Sequence, residues 1–322
     1  MRNNTMGTFH QKPGAWVPYR DEAELNRVRA ITREDIAAMN HVHPRNPNVH
    51  LDVIRNEEFE MIMLTDMFTR ILDSDRYDKK VVLVMPNPCT TYRKLAYMLN
   101  SCKVSCRNVK FYMMDEWADE DGNIAPLSYE SGFGNAFMRF CISQLDPSLG
   151  FKMENFVYFS NETVNSYSKR LEDDGEADAI YSGPGWPGHL AFIDPVEDWY
   201  CDSLEEYMRQ PAKVAKLHPM TMLQNSLHGS FGYSGDVAKV PPMGAMMGPR
   251  DAMQAKNVFD LHGITTDGTK VTWQRMISRL CIFANPCQEL PASILQLRDK
   301  PTFIYMSENS ASTIKADDYF QY

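Results

Sequence analysis

The chain lacks the long apolar and basic segments that mark several classes of protein. It has 322 residues and no run of 18 apolar residues, so no segment is predicted to span a membrane. No cluster of five or more Lys and Arg residues occurs and the formal net charge is −9, which argues against nucleic-acid binding. The N-terminus, MRNNTMGTFHQKPGAW, has no apolar core typical of a secretory signal, so we expect a cytoplasmic protein.

The cysteines lack the spacing of a metal site. There are seven of them, and the closest pair, Cys102 and Cys106, has no second pair or His cluster to complete a ligand set. We therefore interpret them as free thiols of a reducing compartment and predict no bound metal. Internal repeats and low-complexity segments are also lacking.

The first 48 residues differ from the rest. They are polar, contain four prolines and have no strand-like apolar run. One helix is predicted over 31–40, where Thr32 is followed three residues later by an acidic residue. We predict that 1–48 is an extension that wraps the core or meets a partner subunit in a possible homo-oligomer. The domain proper is predicted over 49–322.

From residue 49 onward, strand and helix patterns alternate. Apolar residues make up 43% of the chain, enough for a large core. Strands are predicted at 81–85, 109–114, 155–160, 177–183, 255–263 and 301–307. Helices are predicted at 56–74, 90–100, 132–145 and 162–175. This alternation predicts an α/β fold with a mostly parallel, doubly wound (Rossmann-like) sheet and helices on both faces.

Polar or Gly/Pro-rich segments follow four of these strands. They read PNPCTTYRK, DEW, PGWPGHLAFID and HGITTDGTK. In open α/β sheets ligands bind outside the carboxyl ends of the strands, so the four segments are expected to converge on one site. In the second, Asp115 and Glu116 follow an apolar run directly. One of them could cap the next turn, or a partly desolvated carboxylate could act as a general base, and the residues leave both interpretations open.

Among the four segments, SGPGWPGHLAFIDP at 182–195 has the composition that constrains the backbone most strongly. Its glycines allow a ligand to come close to the backbone or allow a positive φ, and its prolines stiffen the loop. His189 follows, and Asp194 comes five residues later, within reach of the imidazole if the chain curls back. A structural His beside a capping Asp is the alternative, but the cost of this loop favours a general acid/base pair.

The segment HGITTDGTK at 262–270 has the composition of an anion site. Thr265, Thr266, Thr269 and Lys270 could bind a phosphate together with backbone amides at a helix N-terminus. An ordinary turn with a solvated Lys would have the same composition.

Taken together, these stretches resemble the glucosamine-6-phosphate deaminase (isomerase) family, which shares its fold with 6-phosphogluconolactonases. The resemblance runs from about residue 49 to the C-terminus. It is carried by MMDEW with SYESGFGNAFM, GHLAFIDP, MGPRDAMQAKNVFDLHG, Lys270 and LRDKPTFIYMSENSAS. The lactonase relatives differ after the Gly-His.

The resemblance implies a substrate and a set of residue roles. The substrate would be an amino-sugar phosphate that opens its ring, moves a proton from C2 to C1 and releases ammonia. His189 would assist ring opening, Asp194 would orient it, and Asp115 would carry the proton. The implied substrate- and phosphate-binding residues are Asn87, Thr90, Thr91, Glu116, Gly183, Gly185, Gly188 and Lys270. Neither a metal nor an organic cofactor is implied.

Several positions differ from the family pattern, and among them Asp194 is one methylene shorter than the family's glutamate. The loop PNPCTTY has no glycine and is about three residues shorter than the family's. Pro187 stands where the family has an aspartate, and Leu227 where it has an arginine, with His228 beside it. Besides an active deaminase or isomerase of altered specificity, a non-catalytic or ligand-sensing paralogue and a lactonase-like hydrolase therefore remain possible.

Overall fold

The computed structural model describes residues 12–86, 90–263 and 272–315. The strands are β1 (Val49–Ile54), β2 (Val81–Met85), β3 (Val109–Met113), β4 (Asp115–Ala118), β5 (Phe156–Val157), β6 (Ala179–Ser182), β7 (Lys213–Lys216), β8 (Met243–Met246), β9 (Val258–His262) and β10 (Thr302–Ser307). The helices are α1 (Glu22–Arg29), α2 (Arg33–Ala38), α3 (Glu58–Arg76), α4 (Tyr92–Cys102), α5 (Phe133–Phe140), α6 (Tyr167–Asp173), α7 (Leu204–Tyr207), α8 (Pro219–Ser226), α9 (Pro249–Gln254), α10 (Gln274–Phe283) and α11 (Glu308–Ala311). Among these helices none is both long and apolar enough to cross a bilayer.

Seven strands form a parallel sheet in the order β1-β10-β9-β6-β2-β3-β5. Every residue of β2, β6 and β9 is buried, which explains why β2 reads as an uninterrupted apolar run in the sequence. The predicted α/β fold with a mostly parallel sheet and surrounding helices is confirmed. The predicted strand at 155–160 is shorter in the structure, and the predicted helix at 132–145 ends at Phe140 and continues as a 3-10 turn.

The order of the strands reverses at β2. From β2 the chain continues to β3 and β5 toward one edge, whereas β6, β9 and β10 extend the sheet in the other direction. Helical crossovers on opposite sides of this point leave a crevice outside the carboxyl ends of the two adjacent strands. The segments after β2 and β6 therefore begin at the place where such folds bind ligands.

A second sheet, antiparallel and in the order β4-β8-β7, was not predicted from the sequence. Its strands have four residues each, too few for a period-two pattern to stand out. Asp115 is the first residue of β4 and pairs with Met246 of β8. The segment that was expected to be a loop after β3 is therefore a strand that fixes the position of Asp115.

The described part of the N-terminal segment packs on the core. The predicted helix near 31–40 is α2, and its capping box joins Thr32 and Asp35. Helix α1, to which the sequence analysis assigned no structure, buries Val28 completely. Its Glu24 accepts a hydrogen bond from Asn285 N (2.9 Å), and His43 contacts the carbonyl oxygen of Ile282 at 2.7 Å. The boundary at residue 48 stays a prediction.

Candidate active site

A cavity of about 800 Å³ opens where the strand order reverses. It lies at the ends of β2 and β6, so Pro86 and Thr90 line it from one strand, and Gly183 and His189 from the other. Helices α5 and α8 and the segment after α8 supply much of the remaining wall. Three of the four predicted strand-end segments thus meet in one cavity, since Trp117 of the segment DEW also lines it.

His189 and Asp194 form a buried pair at the cavity wall. The Nδ1 atom of His189 lies 2.8 Å from Oδ1 of Asp194, and only 7% of the His189 side chain is exposed. Asp194 also accepts hydrogen bonds from Thr221 Oγ1 (2.8 Å) and from His218 N (2.7 Å). A carboxylate on Nδ1 holds the proton on that nitrogen, so Nε2 keeps its lone pair.

A tight turn brings Asp194 back to His189. Ile193 N donates to Leu190 O at 2.9 Å, and Ala191 adopts a φ of 53°, in the left-handed region. This backbone conformation is strained for a residue with a side chain. Strain of this kind often occurs at functional sites, where the surrounding structure enforces it. The turn explains how a separation of five residues becomes a direct contact.

The predicted glycines have different positions. Gly183 lines the cavity, whereas Gly185 and Gly188 are not among the lining residues. A side chain at Gly185 would collide with Nε2 of His189 and with Oε1 of Gln224, so this glycine lets the loop fold over the imidazole. Gly188 has a φ of 83° immediately before the histidine. Both glycines therefore shape the surroundings of His189, and their part in ligand binding stays a prediction.

Asp115 and Glu116 point to opposite sides of β4, as neighbouring strand residues do. Asp115 is 2% exposed and does not line the cavity itself, but it shares a face of β4 with Trp117, which does. Its Oδ1 is buried without a hydrogen-bond partner. Burial, and then the neighbouring charge of Glu116, raise the pKa of the Asp115 carboxyl well above its ordinary value.

Glu116 stabilises the start of helix α5. Its carboxylate accepts hydrogen bonds from the backbone amides of Phe133 (3.0 Å), Gly134 (2.8 Å) and Trp117 (2.9 Å). Carboxylates are favoured at helix N-termini, where amides are unpaired. This is the capping interpretation of the carboxylate pair, and a contact between Glu116 and a ligand stays a prediction.

The predicted phosphate-binding residues are only partly within the described chain. Thr90 lines the cavity. Thr91 does not, and its hydroxyl donates to Glu60 at 2.8 Å. Asn87 and Lys270, together with Thr265, Thr266 and Thr269, lie outside the described residues. Their roles stay predictions.

One face of helix α8 was missed by the sequence analysis, which named only Leu227 and His228 in this part of the chain. Thr221, Gln224, Asn225 and His228 are spaced by three, one and three residues, and the last three line the cavity. Burial and the nearby His189 lower the pKa of His228, and its Nε2 is buried without a hydrogen-bond partner. This helical spacing was visible in PMTMLQNSLH, but no helix was predicted there.

Arg139 is a second residue that the sequence analysis missed. It lines the cavity with Phe133, Ala136 and Phe140, at the helical spacing of α5. Its guanidinium lies 4.6 Å from the centroid of the Phe140 ring. Leu227, at the position where the family has an arginine, also lines the cavity. Arg139 and Leu227 therefore line the same cavity.

No group of three or more His, Cys, Asp and Glu side chains in 12–86, 90–263 and 272–315 is arranged to hold a metal ion.

Comparison with known proteins confirms the predicted resemblance. The glucosamine-6-phosphate deaminase of Caenorhabditis elegans is 23% identical over 196 residues, which are 60% of this chain and 67% of that relative. Glucosamine-6-phosphate deaminase 2 of Mus musculus is 25% identical over 187 residues, 58% of this chain and 62% of the relative. The chain thus spans about two thirds of the length of these curated relatives. None of the family models matches it.

Solved structures share the fold over more of the chain. A monomeric glucosamine-6-phosphate deaminase, described as a missing link of the NagB superfamily, has a TM-score of 0.65 and 18% identity. The similarity covers 83% of this chain and 99% of that one. The 6-phosphogluconolactonase of Leishmania guyanensis has a TM-score of 0.55 at 13% identity and covers 83% of this chain and 98% of its own.

Proposed function

We propose that this chain is an enzyme that acts on a sugar phosphate, and that it is a deaminase and isomerase of an amino-sugar phosphate. The reaction opens the sugar ring, moves a proton from C2 to C1 and releases ammonia. The observation that carries the proposal is the His189–Asp194 pair on the wall of the cavity where the strand order reverses. The similarity to glucosamine-6-phosphate deaminases supports the choice of substrate class.

The geometry of His189 suits ring opening. With Nδ1 bound to the Asp194 carboxylate, Nε2 can take the proton of the anomeric hydroxyl and pass it to the ring oxygen. Thr221 and the amide of His218 hold the carboxylate in place, so the imidazole keeps one orientation during both transfers.

A panel assay tests the proposal. Purified protein would be incubated with glucosamine-6-phosphate, other amino-sugar 6-phosphates, their unphosphorylated forms and 6-phosphogluconolactone. Ammonia release, ketose formation and lactone hydrolysis would be measured separately. We expect ammonia and ketose in equal amounts from at least one amino-sugar phosphate. Lactone hydrolysis alone would replace the proposal with the hydrolase alternative, and binding without any turnover would replace it with the ligand-sensing one.

We expect Arg139 to contribute to recognition of the phosphate. A sugar phosphate is dianionic near neutral pH, and Arg139 is a cation of the cavity wall. Arg139→Gln should weaken binding of the phosphorylated sugar about tenfold, since an exposed charge pair is partly screened by water. Binding of the free sugar should change little. Calorimetry with both ligands measures the difference.

Arg93→Gln is the matched control. Arg93 also stacks on Phe140, at 4.9 Å from the ring centroid, but it does not line the cavity. Equal losses in the two variants would mean that the effect comes from the overall charge of this surface, and a loss for the free sugar as well would mean that Arg139 supports the wall instead of the phosphate.

A further inference from the structure

A second cavity lies between the N-terminal segment and the core, separate from the active-site cavity. Its volume is about 500 Å³, which is within the range of small-molecule sites. Side chains from 12–29 form one wall, and helix α10, Met220 of α8 and the pair Trp186 and Pro187 form most of the other. Among the described residues, none lines both cavities. The N-terminal segment therefore encloses a space that the proposed reaction does not use.

The two helices on either side of this cavity are fixed to each other. Arg27 of α1 donates to the carbonyl oxygen of Phe283 at the end of α10 (2.5 Å). Just after α1, the carbonyl oxygen of Ile31 accepts a hydrogen bond from Nε of Arg279, also on α10 (3.0 Å). Protein interiors are normally close-packed, so a space of this size between two fixed helices is available to a ligand.

The turn at 185–188 lies between the two cavities. The amide of Trp186 donates to Oε1 of Gln224, which lines the active-site cavity (2.6 Å). A side chain at Gly185 would collide with Nε2 of His189, so the turn packs directly on this imidazole. The backbone of the turn is thus held from the active-site side.

The same turn supplies an apolar surface to the second cavity. Pro187, at the position where the family has an aspartate, lines this cavity together with Trp186. The ring of Trp186 stacks on Trp273 next to α10, with centroids 5.8 Å apart and planes 21° from parallel. Trp186 is still 39% exposed, so part of its indole is open to a flat ligand. An aspartate at 187 would place a charge in this wall.

The charged residues that line the second cavity all come from the N-terminal wall. They are Lys12, Glu22 and Arg29, so basic side chains outnumber acidic ones, although the chain as a whole has a net charge of −9. Most of the remaining lining is apolar or aromatic. A flat apolar ring system that carries one negative charge is complementary to both features.

We propose that the second cavity binds a small aromatic anion and that the bound ligand stabilises the turn at 185–188. The ring system packs against Trp186 and the apolar side chains of α10, and the anionic group lies near Arg29 and Lys12. A ligand that contacts the turn in its present position favours that conformation over others. Because the turn packs on His189, the ligand acts on a segment that the active site shares.

Binding of anilinonaphthalene sulfonate (ANS) tests the site. This probe joins an aromatic ring system to one sulfonate and fluoresces when it is bound in apolar surroundings. We expect one probe per chain, and Trp186→Ala should weaken its binding about tenfold because the stacking surface is lost. Trp16→Ala is the matched control and should bind ANS as the wild type does, since Trp16 is 69% exposed on the same N-terminal segment but does not line the cavity.

A charge variant tests the choice of an anion. Arg29→Gln should weaken ANS binding about fivefold, as expected for an exposed charge pair, and should leave binding of anilinonaphthalene without the sulfonate unchanged. Lys12→Gln should act in the same direction. Arg33→Gln, on α2 and outside the cavity lining, is the control. Arg29 is exposed, so this variant decides the question even if Trp186→Ala folds poorly.

Hydrogen exchange tests the effect on the turn. Exchange of the Trp186 amide, followed by mass spectrometry on a peptide that contains 185–188, should be several-fold slower when ANS saturates the wild type. In Trp186→Ala the same concentration of ANS should change the exchange of this peptide little, because the probe is then mostly unbound.

The outcomes distinguish this inference from the proposed function. ANS binding that neither Trp186→Ala nor Arg29→Gln weakens would place the probe elsewhere and overturn the inference. Equal losses for ANS and its uncharged analogue in Arg29→Gln would overturn the choice of an anion, and unchanged exchange in the presence of bound ANS would overturn the effect on the turn. No step requires turnover, so a wild type that forms no ketose would overturn the proposed function alone.

Discussion

Replacing His189 by alanine should lower turnover by about 10²–10⁴, and replacing Asp194 in the same chain should add little to that loss. The Nδ1–Oδ1 distance of 2.8 Å makes the two side chains one unit, in which the carboxylate acts only through the ring that it orients. Once the imidazole is gone, the carboxylate has nothing to orient. Steady-state rates for His189→Ala, Asp194→Asn and the double variant measure the coupling.

The choice of asparagine at position 194 in this double-mutant cycle follows from the hydrogen bonds of Asp194. Because it accepts from His189, Thr221 and the His218 amide, alanine would leave buried donors unpaired, and each could cost about 1–3 kcal/mol of stability. Asparagine keeps the shape and one acceptor oxygen. Asp251→Asn is the control, since Asp251 is equally buried but is bound to Ser168 Oγ and Gly248 N instead of a cavity residue.

Two results would contradict the expectation. Rate losses that multiply across the cycle would show that His189 and Asp194 act independently. An equal loss of turnover in Asp251→Asn would show that any disturbance of a buried carboxylate has the same effect, and the pair would return to a structural role.

Asp115→Asn should also lower turnover by about 10²–10⁴, because asparagine keeps the size of the side chain but has no titratable proton. The fold should tolerate the change, since Oδ1 of Asp115 makes no hydrogen bond. Turnover and the midpoint of thermal unfolding would be measured on the same preparations. Unchanged turnover would remove Asp115 from the mechanism, and a large loss of thermal stability would assign it a structural role.

The pH dependence of stability gives a second measure of Asp115. A carboxyl whose pKa is higher in the folded chain than in the unfolded one binds its proton more tightly when folded. Its stabilising contribution is fully present below about pH 4 and is lost as the pH rises through the raised pKa. Asparagine removes this dependence. The melting temperature of Asp115→Asn relative to wild type should therefore increase between pH 4 and the raised pKa.

Much of the fold could be predicted because its strands are buried on both faces. Residues 81–85 form a continuous apolar run because helices cover both sides of the sheet there, and the predicted bounds agree with β2. The three-stranded sheet could not be predicted, since four-residue strands such as Lys213–Lys216 carry too little pattern. Helix α1 was missed because its first turn is polar and its apolar residues are few.

The local parts of the site were also predictable. His189 and Asp194 are five residues apart, so one turn decides their contact, and the glycines around them signal a restricted backbone. Arg139 and His228 gave no comparable signal. Each is ordinary in its own segment, and only the packing of α5 and α8 around one crevice places them on the same cavity wall as His189.

The sequence by itself determined the parallel α/β architecture, the edge of the sheet at which the cavity opens, and the His189–Asp194 pair. The architecture and the position of the cavity follow from the burial of whole strands, which leaves apolar runs in the sequence. The His189–Asp194 pair follows from a contact between residues that are close in the chain. Tertiary structure alone decided that Glu116 caps α5 while Asp115 shares a face with Trp117, and that Arg139 and His228 reach the cavity. These depend on contacts between distant segments, whose partners no local pattern specifies.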